Sequence, residues 1–219
     1  MQRLLDILLA TVALVGLSPL LLIVAAILRF TGEGDVFYRQ ARVGRQGRHF
    51  GLLKFATMLR DSPKIGSGEI TLKNDPRVLP VGRFLRKTKI NELPQLWNIV
   101  TGDLSVVGPR PMVPNTFAAY PPEAQKILNT VRPGLSGVGS IVFRDEESFL
   151  EGHDDPAAFY RDTIIPYKAA LECWYVRNQS LRTYCEVIAL TLWAIVFKNT
   201  RLPWRIWKDL PEPPPALRA

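Results

Sequence analysis

A run of cationic side chains near the middle of the chain leads directly into an amide and a carboxylate. The run and its neighbours are Arg83, Arg86, Lys87, Lys89, Asn91 and Glu92, and Arg110 follows in a proline-rich segment. Arginine binds phosphate oxygens through two parallel hydrogen bonds, and a carboxylate among cations can hold a Mg²⁺ ion that bridges phosphates. These residue types at this spacing predict a pocket for phosphate groups and a divalent metal.

Asn91 also has an interpretation that involves no chemistry. Apolar residues follow it at helical spacing, at positions Leu93, Leu96, Trp97 and Val100. This pattern predicts a helix with one face against a core. Asparagine is among the preferred residues for capping the amino end of a helix, so Asn91 could serve as that cap. The cationic run could likewise be a solvated surface.

Two further segments carry residue types that could take part in chemistry. Arg132 and the glycines after it, Gly134, Gly137 and Gly139, could form a phosphate-binding turn, but their place after an Arg-Pro pair favours a plain loop. The segment Arg144-Asp145-Glu146-Glu147 concentrates acids in a basic protein. It could supply metal ligands, a general base or the first turn of a helix.

The overall composition restricts the class of protein. The 219 residues suit one domain with a real core, and the formal net charge of +8 favours phosphate-rich partners such as nucleotides, anionic lipids or nucleic acid. A nucleic-acid-binding protein is disfavoured because no stacking aromatics alternate with the basic residues. The two cysteines, Cys173 and Cys185, indicate a reducing compartment, and two histidines make a zinc site improbable.

The amino-terminal segment is long and apolar. Ile7 to Leu28 comprises 22 residues without charge, roughly 33 Å as a straight helix, which is enough to span a bilayer. It is too long for the core of a cleaved signal peptide. Proline at its centre removes a backbone donor, and the hydroxyl of Ser18 can satisfy the carbonyl that Pro19 leaves free. Arginines flank both ends, so we predict a re-entrant membrane helix broken at Ser18-Pro19, with a kinked spanning helix as the alternative.

The carboxyl-terminal region contains a second candidate membrane-facing element. Val187 to Phe197 is apolar but too short to cross a bilayer, and Leu202 to Lys208 mixes tryptophans with cations, as interfacial helices do. A core helix followed by a surface tail is the alternative. We assign residues 1–30 to the membrane helix, 31–200 to a catalytic domain and 201–219 to an interfacial and disordered tail.

Short strands and helices alternate in the rest of the chain. Strands are expected at Val36-Phe37-Tyr38 and from Phe50 to Phe55, with turn residues at 44–47 between them. Helices are expected from Glu123 to Val131 and over about 30 residues from Pro166. This pattern predicts an α+β fold, in which a compact, mostly helical domain accompanies the membrane helix and amphipathic interfacial helices.

Several segments, taken in order, resemble the bacterial sugar transferases, which are monotopic phosphoglycosyl transferases that act on polyprenol phosphate. The segments are Arg3-x-x-Asp6, Ser18-Pro19, Val36-Phe37-Tyr38-Arg39-Gln40-x-Arg42-Val43-Gly44, Lys54-Phe55, Asn74-Asp75-Pro76-Arg77, Val81 to Thr88, Glu92 to Asn98, Gly102 to Pro111 and Arg132-Pro133-Gly134. Each motif is a modest signal, but the set in this order and spacing is specific. The resemblance extends from Arg3 to about Phe197.

The resemblance implies a function, a location and partners. A nucleotide sugar, usually a UDP-sugar, would donate its phosphosugar to undecaprenyl phosphate with Mg²⁺ required and UMP released, as the first membrane step of exopolysaccharide, O-antigen or glycoprotein glycan synthesis. The enzyme would lie at the cytoplasmic face of the bacterial inner membrane, and a homodimer is compatible with the family. Glu92 matches the metal-binding Glu, and Lys54, Arg83, Arg86, Arg110 and Arg132 match basic positions around the phosphates.

One departure from the family pattern concerns the chemistry itself. Asn91 stands where the family has an Asp that attacks the β-phosphate and forms a covalent acyl-phosphate, and an amide is a very poor nucleophile toward phosphate. Ala56, Thr57 and Ser140 depart from frequent family residues as well. Three explanations follow. Another carboxylate attacks, with Glu92 or the cluster Arg144-Asp145-Glu146-Glu147, above all Asp145 and Glu146, as candidates; the lipid phosphate attacks directly; or the chain is an impaired homologue that binds lipid or nucleotide for another transferase.

Overall fold

The computed structural model describes residues 1–62, 65, 75–144, 149, 155–197 and 201–217. Within these residues helices dominate, and short strands form two sheets of two strands each. This mixture agrees with the predicted α+β class. The chain divides into two compact units: the first contains Arg3–Ala41 and Gly51–Gly102, and the second contains Arg42–Phe50 and Asp103–Ala219.

Helix α1 comprises Gln2–Arg29 and contains Pro19. Its length and a mean hydropathy of 2.7 over an 18-residue stretch would allow it to cross a membrane. Pro19 cannot donate to the carbonyl of Val15, four residues earlier. The Ser18 hydroxyl donates to that carbonyl over 2.7 Å, which confirms the predicted role of Ser18 in satisfying the free acceptor.

Both ends of α1 contact other parts of the first unit. Near its start the Arg3 guanidinium donates to the carbonyls of Ile99 and Val100, at 2.6 and 3.0 Å. Near its end, Val24 and Leu28 are buried in one apolar cluster with other residues of the unit, among them Phe55 and Leu85. The apolar side chains between these ends include exposed ones, namely Val12, Val15, Leu22 and Ile23.

The predicted hairpin is present and longer than expected. Strand β1, Phe37–Val43, pairs with β2, His49–Phe55, and a 3₁₀ turn at Arg45–Gly47 connects them. In the first unit, the side-chain amide of Asn98, on the helix Gln95–Thr101, forms two hydrogen bonds with the backbone of β2. Its Oδ1 accepts from Leu53 N at 2.9 Å, and its Nδ2 donates to Gly51 O at 3.0 Å.

Three short elements complete the first unit. They are helix α2 at Pro80–Lys87, a 3₁₀ turn at Ile90–Glu92 and helix α3 at Gln95–Thr101. The predicted helix over 93–100 corresponds to α3, which begins after Pro94. Gly82 brings α2 against the backbone of Thr57, since a Cβ at position 82 would lie 2.2 Å from the Thr57 carbonyl oxygen.

A buried ion pair holds the segment before α2. Arg77 donates to Asp75 through Nε and Nη2, at 2.9 and 2.6 Å, and through Nη1 to the carbonyls of Ser62 and Ile65. The Asp75-Pro76-Arg77 motif therefore organises this segment. Asn74 and most of the loop predicted at 61–68 lie outside the described residues.

In the second unit, β3 at Ser105–Val107 pairs in parallel with β4 at Gly134–Ser136. Helix α6, Val138–Val142, follows directly. The prediction of a plain loop over 132–139 is therefore wrong for residues 134–136 and 138–139. Glycine explains the difference, because a Cβ at Gly134 would lie 2.0 Å from Gly108 N, so only a glycine permits this pairing.

Helices form the rest of the second unit. They are α4 at Pro114–Ala118, α5 at Pro122–Leu128, α7 at Pro156–Phe159, α8 at Ile165–Arg177, α9 at Leu181–Val196 and α10 at Leu202–Ile206, with a π-helical turn at Tyr160–Ile164. The predicted helical region from Pro166 is thus two helices. Ser180 separates them and caps α9, since its hydroxyl accepts from Thr183 N.

Residues 201–217, which the sequence analysis assigns to an interfacial and disordered tail, contact the helices of the second unit. Trp207 Nε1 donates to Glu186 Oε2 at 2.8 Å, and Trp174 Nε1 donates to Asp209 Oδ2 at the same distance. Trp207 and Leu210 are buried. Cys173 is buried and Cys185 exposed, and both are free thiols.

Candidate active site

The candidate site residues are distributed over both units. The first unit contains Lys54, Arg83, Arg86, Asn91 and Glu92, and the second contains Arg110 and Arg132. Asp145, Glu146 and Glu147 lie outside the described residues, so their predicted roles stay predictions. Arg144, which precedes them, is exposed.

Helix α2 and the 3₁₀ turn place cations, an amide and a carboxylate on one short stretch. Proline at the first position of α2 favours helix initiation. Lys89, which lies between α2 and the 3₁₀ turn, adopts the left-handed conformation, with φ 60°. The turn is closed by hydrogen bonds from Glu92 N to Lys89 O and from Leu93 N to Ile90 O, at 3.0 and 3.1 Å. The conformation of Lys89 thus determines where the turn begins.

The cations of this stretch differ in exposure. Arg83 is exposed on α2, whereas Arg86 is half-buried and its Nη1 lies 3.6 Å from Met58 Sδ. Lys54 is half-buried on β2 and donates to Gln40 Oε1 at 3.3 Å. The described contacts of Arg83 leave its guanidinium accessible to an anionic ligand.

Asn91 is buried, with 6 % of its surface exposed. Its Oδ1 has no hydrogen-bond partner among the described residues. The capping interpretation is therefore wrong: Asn91 lies within the 3₁₀ turn, and α3 begins three residues after Glu92, with Pro94 at the capping position. A buried carbonyl oxygen without a partner carries a desolvation cost, which a ligand donor or a cation would remove.

Asn91 and Glu92 offer oxygen atoms of the kind that Mg²⁺ prefers. One is the amide carbonyl of Asn91 without a partner, and the others belong to the half-buried carboxylate of Glu92. No cluster of three or more His, Cys, Asp or Glu side chains occurs among the described residues. This donor set fits a hard cation that takes its remaining ligands from water and substrate phosphates, and not a cage made by the protein alone.

In the second unit, Arg110 lies in the predicted proline-stiffened loop that follows β3. Its side chain is exposed, while its backbone N–H donates to Glu172 Oε1 at 3.1 Å. Arg132 is half-buried directly before Pro133 and β4. The parallel pairing of β3 with β4 therefore places the residues that follow Arg132 beside those that precede Arg110.

Sequence reasoning missed Glu172, a buried acid on α8. Its exposed fraction is 3 %, and burial raises the pKa of its carboxyl to about 7. Helical periodicity could have found it, because Ile165, Lys168, Glu172 and Tyr175 recur at helical spacing and are all buried. An acid on the buried face of a helix is unusual enough to indicate a specific role.

Comparisons with known proteins identify the class to which these features belong. Residues 1–198 match the bacterial sugar transferase family. The exopolysaccharide production protein ExoY of Rhizobium meliloti is 35 % identical over 208 residues, which cover 89 % of this chain and 84 % of ExoY. The chain therefore belongs to the bacterial sugar transferase family.

Two further relatives carry names that state a reaction. The UDP-glucose:undecaprenyl-phosphate glucose-1-phosphate transferase of Klebsiella pneumoniae is 37 % identical over 196 residues, covering 87 % of this chain and 39 % of that protein. The undecaprenyl-phosphate galactose phosphotransferase of Salmonella typhimurium is 31 % identical over 222 residues, covering 94 % and 40 %. The chain spans about two fifths of the length of these two relatives.

Proposed function

We propose that this protein transfers a phosphosugar from a nucleotide sugar to undecaprenyl phosphate in the synthesis of a surface glycan such as an exopolysaccharide. The observation that supports this most directly is the stretch from Arg83 to Glu92, where exposed cations lead into a turn with a buried, unpartnered amide oxygen and a carboxylate. Family membership over residues 1–198 supports the same reaction class. The names of the relatives are those of transferases and give no support to an impaired binding partner.

The described residues suggest a division of roles. Arg83 and Arg86 on α2 would bind the diphosphate of the donor, which we propose to be a UDP-sugar, and Lys54 would add a further positive charge. Glu92, together with the Asn91 carbonyl, would hold Mg²⁺. When bound, the ion would neutralise charge on the diphosphate as the reaction proceeds. In the second unit, Arg110 and Arg132 would bind phosphate groups.

We further propose that the lipid phosphate attacks the donor directly. Asn91 cannot attack phosphorus because an amide is neutral and weakly nucleophilic, and Glu92 is assigned to the metal. An oxygen of undecaprenyl phosphate would form a bond to the β-phosphorus of the donor. The bond between that phosphorus and the oxygen shared with the α-phosphate would break, and UMP would leave with the electron pair.

The membrane arrangement that we propose is re-entrant. Both ends of α1 contact the first unit, and exposed apolar residues lie between them. A helix broken at Ser18-Pro19 that enters and leaves the cytoplasmic leaflet of the inner membrane would bury those residues in lipid. In the second unit, the exposed apolar residues of α9, together with Phe197, which follows α9 and stacks on Trp193, are suited to a lipid layer.

A UMP-release assay tests the proposed reaction. Membranes containing the protein receive undecaprenyl phosphate, Mg²⁺ and a panel of UDP-sugars, and one donor should yield UMP. Glu92→Ala should lower the rate about 100-fold, as expected when a ligand of the Mg²⁺ that would neutralise the reacting phosphates is lost. Lys126→Ala, which removes only an exposed pair with Glu123, is the control. An equal rate in wild type and Glu92→Ala would contradict the assignment of the site.

A further inference from the structure

Glu172 occupies a position that only glycine neighbours leave open. It lies on α8, and a Cβ at Gly139 would lie 2.5 Å from its Oε1, while a Cβ at Gly137 would lie 3.6 Å from its Oε2. A larger residue at position 139 would displace the carboxyl, whereas the Cβ at position 137 would make only an ordinary contact with it. Gly139, one of the three glycines considered above for a phosphate-binding turn, therefore makes room for a buried carboxyl group.

Burial of this carboxyl group is unfavourable for the stability of the protein. Its Oε2 has no hydrogen-bond partner among the described residues. Lys168, one turn earlier on α8, is also buried, but its Nζ lies over the rings of Phe143 and Tyr160, at 5.2 and 5.6 Å from their centroids. An apolar side chain at position 172 would avoid the desolvation cost, so stability alone does not account for an acid here.

The hydrogen bond that Glu172 does accept fixes a specific part of the backbone. Gly108 N donates to Ser136 O at 2.9 Å, and Gly134 N donates to Pro109 O at 2.8 Å, so the parallel strand pair continues into the loop. Pro109 has no N–H, and the next amide, that of Arg110, donates to Glu172. Pro111 then fixes the following backbone angle.

The guanidinium of Arg110 is exposed, while the backbone beside it is fixed by two hydrogen bonds: Gly134 N donates to Pro109 O, and Arg110 N donates to Glu172 Oε1. We propose that Glu172 is a positioning residue, which holds the Arg110 backbone against β4 and α8 and thereby sets the direction in which Arg110 presents its guanidinium to the phosphates of the substrate. This inference rests on the proposed function, because it assumes that Arg110 binds those phosphates.

The ionisation of Glu172 makes the inference measurable. The charged groups that act on it are Lys168 on α8 and Arg110 in the loop, and the facing segment 134–142 contains no titratable side chain. Burial raises the pKa of Glu172 to about 7 despite the hydrogen bond from Arg110. The ionised form is the stronger acceptor, so the hold on Arg110 should tighten as the pH rises through neutrality.

A double-mutant cycle with Arg110 separates positioning from packing. In the UMP-release assay, Glu172→Leu should lower kcat/KM roughly tenfold, the usual consequence of losing one hydrogen bond to a charged group. In the Arg110→Ala background the same change should have little further effect. Glu172→Gln, which keeps an acceptor oxygen, should restore most of the activity but lose the rise with pH. Additive effects of Glu172→Leu and Arg110→Ala would overturn the inference.

Hydrogen exchange at the Arg110 amide tests the inference independently of activity. In the detergent-solubilised full chain, this amide should exchange faster in Glu172→Leu than in wild type, and in wild type its protection should increase between about pH 6 and about pH 8 after correction for intrinsic exchange. Glu186→Gln is the matched control, since Glu186 bonds Arg182 and Trp207 on α9 and the tail. Unchanged exchange in Glu172→Leu would overturn the inference even in an active enzyme. If Glu172→Leu exposes the Arg110 amide to faster exchange but the wild type releases no UMP, the inference about the backbone stands and the proposed function is contradicted.

Discussion

At the scale of single residues, the proposed chemistry depends on the pair Asn91 and Glu92. A carboxylate at position 91 could attack phosphorus and form a covalent intermediate, whereas the amide that is present can only form hydrogen bonds or bind a cation. The amide is buried, and its Oδ1 has no partner among the described residues. These properties fit a group that completes its contacts when metal and substrate bind.

Asn91→Asp should change the kinetics in the absence of the lipid acceptor. The new carboxylate could displace UMP by itself, so we expect a burst of UMP of up to one molecule per protein when the donor is added without undecaprenyl phosphate. Wild type should show no burst, because direct attack requires the acceptor. Rapid-quench measurement of UMP gives the comparison. A burst in wild type would show that another carboxylate is the nucleophile.

Glu172 should make the free energy of unfolding depend on pH. Between its usual pKa of 4.5 and its raised pKa of about 7, the unfolded chain loses the proton while the folded protein keeps it. Stability should therefore fall as the pH rises through this range and stay lower above it, by roughly 3 kcal/mol at about 1.4 kcal/mol per pKa unit.

Urea unfolding of the detergent-solubilised protein at about pH 5 and about pH 8 measures this dependence. In Glu172→Gln, the fall in stability between these values should shrink by the contribution of Glu172. The same fall in both proteins would mean that Glu172 is ionised throughout this range in the folded state.

At the scale of elements, the position of α2 depends on its close approach to Thr57. Gly82→Ala would place a methyl group 2.2 Å from the Thr57 carbonyl oxygen, so α2 would have to move away together with Arg83 and Arg86. We expect a loss of about 1–3 kcal/mol of stability and a weaker affinity for the donor. Thermal unfolding and the KM for the donor measure the two effects.

Gly16→Ala is the control for this substitution. A Cβ at Gly16 would have no neighbour within 4 Å, so the change should leave KM unaffected. If Gly82→Ala preserves both the unfolding temperature and KM, the packing of α2 does not position the cations.

Local sequence patterns predicted those elements that local physics determines. The hairpin followed from two short strand-like segments with turn residues between them. Helix α3 followed from the helical spacing of Leu93, Leu96, Trp97 and Val100, but its predicted buried face was partly wrong, because Trp97 is exposed and Ile99 is buried. Helix α2 was not predicted, although Val81 and Leu85 recur at helical spacing among its cations. The pairing of β3 with β4 escaped prediction because it depends on glycine contacts between segments distant in sequence.

The candidate site was predictable to a similar extent. The sequence identified the cations, Asn91 and Glu92, because their residue types alone indicate phosphate and metal chemistry. It did not identify the burial of Asn91 or the contact of Glu172 with Arg110, since both depend on tertiary packing. The capping interpretation of Asn91 failed for the same reason, because a proline at the helix start shifted α3 away from it.

At the scale of the whole molecule, the re-entrant arrangement predicts that both ends of α1 face the cytoplasm. Single cysteines at position 2 or 31, in a chain whose Cys173 and Cys185 are replaced by serine, should react with an impermeant thiol reagent in inverted membrane vesicles and not in intact spheroplasts. A cysteine at position 16 should remain unreactive in both. Labelling of position 2 from the outside of spheroplasts would indicate a helix that spans the membrane.

The central claim is that the phosphosugar passes to the lipid. The most direct measurement uses a UDP-sugar labelled at its β-phosphate, supplied with undecaprenyl phosphate and Mg²⁺ to membranes that contain the protein. We predict that the label enters the organic-soluble lipid in a one-to-one ratio with released UMP, and that Glu92→Ala lowers the rate of both about 100-fold. Label that remains in the aqueous phase with every donor of the panel, while a related transferase labels the lipid in the same membranes, would contradict it.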